Sequence, residues 1–246
     1  MTGKMVRDKM FYGGLAALLL VLIGADFLYF NTLGEPQSPV PVATEATAQP
    51  APRAQDVTCF FDETKDTVTD YAALINPEDP VYGNENADLT LIEYFDPNCP
   101  HCKHLHPVMS ATLASYGDRI RVVYKPVALP GWTWSVPQVS ALWSAAEDGK
   151  FKEMLDQQFA MQKQGGLSVE ELKGIASEIG MDVAKMEQQI EDGAFNDRMM
   201  GTMQQVRQIG MTGVPAVLLN GKFISSSSRN EACFAQLVES SLAENG

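Results

Sequence analysis

The sequence predicts an α/β domain in which a parallel strand–helix–strand unit and a C-terminal hairpin are separated by an all-helical insertion. A single membrane-spanning helix and a Pro-rich tether precede it. Three observations predict this architecture. They are an apolar run of helix-spanning length near the N-terminus, a Pro/Ala/Thr-rich stretch behind it, and short β-type runs flanking a long segment of helical periodicity.

The apolar run covers 11–30 and follows Lys4, Arg7 and Lys9. Twenty helical residues at ~1.5 Å each reach about 30 Å, the thickness of a bilayer core. Its sole charge, Asp26, falls near the far end, where headgroups begin. The basic flank keeps 1–10 in the cytoplasm and sends the remainder outward. A cleaved signal peptide is the rival reading. Its best nearby site, Ile23-Gly24-Ala25, starts with a bulky residue, and Ala46-Thr47-Ala48 lies far past the run. Both readings export the bulk of the chain. Over 31–56, prolines at 36, 39, 41, 50 and 52 leave no apolar period, the pattern of a stiff, extended tether.

The remaining chain, 57–246, is expected to fold. With 45% hydrophobic and 20% charged residues, the composition is that of a globular protein. A formal charge of −13 repels phosphate backbones, and no basic patch with interleaved aromatics occurs. That argues against nucleic-acid binding.

Leu89 to Phe95 is a short apolar run suited to a buried strand, a helix is expected over 99–115, and Ile120 to Tyr124 reads as a second, parallel strand. Near the other end, Ala216 to Leu219 leads through Asn220-Gly221 into Lys222-Phe223-Ile224, the strongest short hairpin signal. Ser228-Arg229-Asn230-Glu231 has capping-box form and is expected to open a last helix through about 242. Between the halves, about 136–210 has helical periodicity broken at Gly149, Gly165-Gly166, Gly180 and Gly193. Ser168 and Glu171 form another capping box there.

The chemistry lies in Phe95-Asp96-Pro97-Asn98-Cys99-Pro100-His101-Cys102. Two cysteines three apart on the first turn of a helix can close a disulfide with little backbone movement. Cys99 falls at the helix start, where free N–H groups and the dipole stabilise a thiolate. It is expected to be the exposed, acidic thiol, with His101 adding charge or a donor. A stabilised thiolate leaves readily, which makes the disulfide oxidising.

These residues resemble the DsbA family of exported thiol–disulfide oxidoreductases, built on the thioredoxin fold. Cys99-Pro100-His101-Cys102 is the tetrapeptide typical of that family. Glu93 matches its buried acidic residue, Pro107 the proline inside the active-site helix, and Val214-Pro215 the cis-proline loop facing the disulfide. The resemblance covers about 80–242 and includes the helical insertion; the anchor and tether depart from it. It implies a thioredoxin-like domain over 57–246 that oxidises exported unfolded proteins bearing free cysteines; with the anchor read from 11–30, that domain is expected in the periplasm, held to the bacterial inner membrane. It also implies reoxidation by a quinone-linked membrane partner, DsbB-like or of the vitamin K epoxide reductase type, and no bound cofactor. A reductase or isomerase would use the same residues with electrons flowing the other way. A chaperone or binding module is the non-enzymatic alternative.

Other residues carry competing readings. Glu93 could be a pleat-edge glutamate reaching solvent. His104 and His106 read as rim residues, with a metal role weighed because all three histidines adjoin the cysteines. Trp132, Trp134 and Trp143 either line a peptide groove or pack the insertion onto the sheet. Met154, Met161, Met181, Met186, Met199, Met200 and Met203 add adaptable apolar surface. Cys59 and Cys233 are left over, and in an oxidising compartment they most simply pair with each other as a structural bridge. The sequence gives no distance, so free thiols stay open. Neither resembles a thiolate-stabilising helix start, because Cys233 is expected inside its helix.

Overall fold

The computed structural model describes residues 58–245. The expected anchor (11–30) and tether (31–56) lie outside the described residues. Among the described residues no helix is long and apolar enough to cross a membrane.

A five-stranded sheet runs in the order β1-β3-β2-β4-β5. β2 (Leu89–Phe95) and β3 (Ile120–Pro126) pair in parallel, with Leu89 opposite Ile120 and Glu93 opposite Tyr124. Helix α1 (Pro100–Tyr116) makes the crossover. β4 (Ala216–Leu219) pairs antiparallel with β2, and β5 (Lys222–Phe223) closes the hairpin. Both turn residues take positive φ, 44° at Asn220 and 81° at Gly221, the geometry that Asn-Gly favours between twisted strands. Edge strand β1 (Val81–Gly83), antiparallel to β3, has no counterpart in the sequence reading, since three residues are too short to show a period.

The insertion comprises α2 (Ser135–Glu147), α3 (Phe151–Ala160), α4 (Val169–Glu178), α5 (Val183–Glu191) and α6 (Asn196–Gln208). Its breaks fall at the expected glycines, and the Ser168–Glu171 capping box opens α4. The last helix, α7 (Glu231–Asn245), starts later than expected. Asn230, not Ser228, lies at its cap, with Oδ1 accepting from the Cys233 N–H at 3.0 Å. Ser228 is buried in a preceding 3-10 turn, where its hydroxyl accepts from the Phe60 N–H at 3.1 Å. Long-range demand for that hydroxyl overrides the local capping pattern. Cys233 is consequently in the first turn of its helix, contrary to the sequence reading.

Alternation along β2 sorts its side chains between two cores. Leu89, Leu91 and Phe95 pack with α1, α7 and the insertion, while Ile92 and Tyr94 pack with Val206 of α6 on the other face. Glu93, between Leu91 and Phe95, therefore points to the α1 side. It is 2% exposed, which removes the solvent-facing alternative. On the opposite face Lys125 is fully buried and donates to Asp79 at 2.6 Å and to the Leu74 carbonyl at 2.7 Å. Burial pushes the Asp79 carboxyl up and the Lys125 amine down.

Cys59 and Cys233 form a disulfide across 174 residues. The segment it holds also bridges Phe61 to Ile224 beside the hairpin.

Candidate active site

The turn between β2 and α1 is built around Asp96, whose side chain is wholly buried. Its carboxylate accepts from the Asn98 N–H (2.7 Å), the Leu129 N–H (2.9 Å) and the Ser135 hydroxyl (2.7 Å), and its carbonyl takes the Cys99 N–H at 2.9 Å. Burial pushes the carboxyl up, and those donors pull it back down. From the insertion, Gln162 Nε2 donates to the carbonyls of Pro97 (2.7 Å) and Cys99 (3.1 Å). Gly166, at φ +86°, lets the backbone approach so closely that a Cβ there would run into Asn98 Oδ1.

Cys99 occupies the N-cap of α1 and Pro100 its first position, where the missing N–H costs nothing. The Cys99 thiol is held well down, at about 6. The largest cause is a hydrogen bond from the Cys102 thiol. Backbone N–H groups of Cys102 and His101 follow, and the charge of His101 contributes least, while burial opposes all of these. Acidity was expected from the helix start and His101, so the neighbouring thiol is the added finding. Cys99 was also expected to be exposed, yet it is 4% exposed, because the cis-proline loop covers it. Cys102 is fully buried, and its thiol is pushed far up, first by burial, then by the hydrogen bond and charge shared with Cys99, with Glu93 adding to the effect.

Val214-Pro215 is a cis peptide, and the Val214 carbonyl stands 3.6 Å from Cys99 Sγ. The structure thus brings together Cys99, Cys102, His101, Pro100, Val214, Pro215 and Glu93. Burial lifts the Glu93 carboxyl to about 8, with Arg229 pulling the other way. Beside the cysteines, a groove of about 370 Å³ is lined by His101, His104, Leu105, Val214, Pro215 and Arg229.

One further expectation needs correction. His106 is not a rim residue. It pairs with Asp156 of α3 at 2.6 Å and packs on Phe159, tying α1 to the insertion. The tryptophans divide: Trp143 is core, with the Arg198 guanidinium 4.5 Å from its ring centroid, whereas exposed Trp132 lines a second groove with Pro100 and Gln162. Among the methionines, Met154, Met181, Met186 and Met199 are buried, while Met161 and Met200 are exposed. Among the described residues, no three His, Cys, Asp or Glu side chains converge to hold a metal.

Asp96, Gln162, Gly166 and Arg229 were missed as site residues. Asp96-Pro97-Asn98 carries the signal of an Asx turn and could have flagged the first. The other three act across long sequence separations and left no local signal.

A dithiol at a helix start, facing a cis-proline loop beside the central sheet, has the geometry that thiol–disulfide exchange requires. The model of the thioredoxin family matches residues 75–239, and the chain belongs to that family. Among solved structures, oxidised BdbD from Bacillus subtilis superposes with a TM-score of 0.62 at 16% identity, covering 68% of this chain and 94% of that one. The thiol-disulfide exchange protein alpha-DsbA2 from Wolbachia pipientis gives 0.61 at 18%, covering 69% and 91%. At these identities the likeness is one of fold. A curated relative, the Na(+)/H(+) antiporter NhaA of Herminiimonas arsenicoxydans, is 30% identical over 154 residues, 62% of this chain and 24% of that protein. The chain spans about a quarter of the length of the first curated relatives it matches.

Proposed function

We propose that this chain is an exported dithiol oxidase, anchored by residues 11–30 in the bacterial inner membrane and active in the periplasm. The observation that carries the proposal is the acidity of Cys99, held at about 6 and so mostly thiolate near neutral pH. A dithiol stabilised in that way makes its disulfide a better oxidant.

The reaction balances within one cycle. A client thiolate attacks Cys99 Sγ, the Cys99–Cys102 bond breaks, and its electron pair goes to Cys102. Glu93, protonated below about 8, supplies the proton that Cys102 takes up. A second client thiolate then attacks the client sulfur of the mixed disulfide, and Cys99 leaves as thiolate. The client gains a disulfide and the chain becomes a dithiol. Val214 and Pro215 position the client backbone beside Cys99, and His101 and Pro100 shape the helix start. Clients are exported unfolded proteins with free cysteines. A quinone-linked membrane partner, DsbB-like or of the vitamin K epoxide reductase type, restores the disulfide.

Equilibration with a glutathione buffer tests the direction. An oxidase is expected to lie well above the roughly −270 mV of a reducing thioredoxin, toward the range near −120 mV. A value at the reducing end would assign the chain to the reductase or isomerase reading.

A further inference from the structure

Arg229 lies in the turn before α7 and was read from sequence only as part of a helix cap. Its guanidinium reaches back to the site instead. Nη1 donates to the Pro215 carbonyl at 2.6 Å and Nη2 to the Ile224 carbonyl at 3.4 Å, while Nε is buried without a partner. The side chain lines the groove shared with His101, Val214 and Pro215. The same cation faces Cys102, Asp62 and Glu93. One group therefore touches the loop over Cys99 and brings positive charge into the groove that this loop lines, within electrostatic reach of Cys102.

We propose that Arg229 is a positioning residue of the exchange reaction, which clamps the cis-proline loop and stabilises Cys102 as the leaving thiolate. This deepens the proposed function and rests on it. When a client thiolate attacks Cys99, negative charge develops on a sulfur enclosed by apolar side chains, where an unpaired charge is costly. A fixed guanidinium lowers that cost without donating a proton. Glu93 then delivers the proton, and Arg229, facing both groups, favours the carboxylate left behind. The charged or titratable groups around this centre are Arg229, Glu93, Cys99, Cys102 and Asp62, with His101 and His104 in the groove and Tyr124 facing Glu93 across the strand pair.

The test compares the wild-type chain, Arg229→Gln and Arg229→Lys. Glutamine keeps a donor without the charge, and lysine keeps the charge. Opening of the disulfide form by dithiothreitol is followed by stopped flow at pH values on both sides of about 8, with rates corrected for reductant ionisation. An opposite charge near a thiolate is worth roughly one pKa unit or more, so Arg229→Gln is expected to open about tenfold more slowly. Its pH–rate bend moves upward, because removing the cation raises the Glu93 carboxyl further. Arg229→Lys keeps the rate within about threefold, because the charge stays while the guanidinium fork that bridges Pro215 and Ile224 is lost. The glutathione equilibrium stays at its wild-type value near neutral pH in both, because Cys102 is protonated in the dithiol and Cys99 does not lean on Arg229.

A Gln variant with wild-type rate and an unmoved bend would overturn the inference, as would a Lys variant as slow as Gln. If the Gln variant does not fold, Arg229→His carries the test in one chain. Its opening rate is expected to fall about tenfold as the imidazole loses its proton, and a flat rate overturns the proposal. A wild-type chain that exchanges with no thiol would instead sink the proposed function, which separates the two failures.

Discussion

Cys99 and Cys233 both sit at the start of a helix, yet one is an acidic thiol and the other half of a bridge. At α7 the Asn230 side chain takes the Cys233 N–H, and the sulfur is spent on Cys59. At α1 the N–H groups of His101 and Cys102 turn toward the Cys99 sulfur, and the Cys102 thiol adds a third donor. A helix start therefore does not by itself make a cysteine reactive. The sulfur must receive the donors that a capping side chain would otherwise satisfy.

The largest expected effect breaks the two pairs apart by activity. Cys99→Ser is expected to abolish thiol oxidation, whereas the double variant Cys59→Ser/Cys233→Ser keeps close to the wild-type rate. Initial rates on a reduced client protein check this, and a lost rate in the double variant would make the bridge a relay. Next, Cys102→Ser is expected to accumulate a mixed disulfide through Cys99, seen by mass mapping. Accumulation through Cys102 in Cys99→Ser would reverse the assignment.

The stability comparison runs the other way. Removing the Cys59–Cys233 bridge is expected to cost roughly 2–5 kcal/mol. For a domain of this size that is a fall of about 5–15 °C in Tm. Reduction of the active-site disulfide alone should stabilise the fold instead. Cys99 has a folded pKa near 6 against an ordinary value near 9. A depressed acid contributes its stability in full above the unfolded value and loses it as pH falls through the folded one. The dithiol form is thus expected to gain up to roughly 4 kcal/mol as pH rises from 6 toward 9, and to lose it again above pH 9, where Cys102 ionises only in the unfolded chain; denaturant titration across that window checks this. A flat difference would mean that Cys99 is not held as thiolate.

The smallest effect concerns the side chain of His101, whose charge is the weakest of the causes acting on Cys99. His101→Ala is expected to raise that thiol by less than about one unit and lower the potential by less than about 30 mV. A larger fall would restore the histidine to first place.

What the sequence made legible was local. The CxxC spacing, the Leu89–Phe95 strand, the Asn-Gly hairpin and the Val214-Pro215 pair are each readable within a few residues, whereas the side to which Glu93 points emerged only with the sheet. What it hid depends on contacts across the chain. Gln162 reaches Pro97 across 65 residues, Arg229 meets Pro215 only because the hairpin returns it, and Ser228 abandons its capping pattern for Phe60. The exposure of Cys99 was misjudged for the same reason, since the loop that covers it arrives 115 residues later.

That separation has a consequence for synthesis. The chain is made from its N-terminal end, so Cys99 and Cys102 are in place well before Val214, Pro215 and Arg229. Until those residues arrive, the motif has its own helix start but stands on an incomplete sheet, without the loop that covers its sulfur. The exchange site is completed last, and its cysteines wait on a helix start whose covering loop has yet to be made.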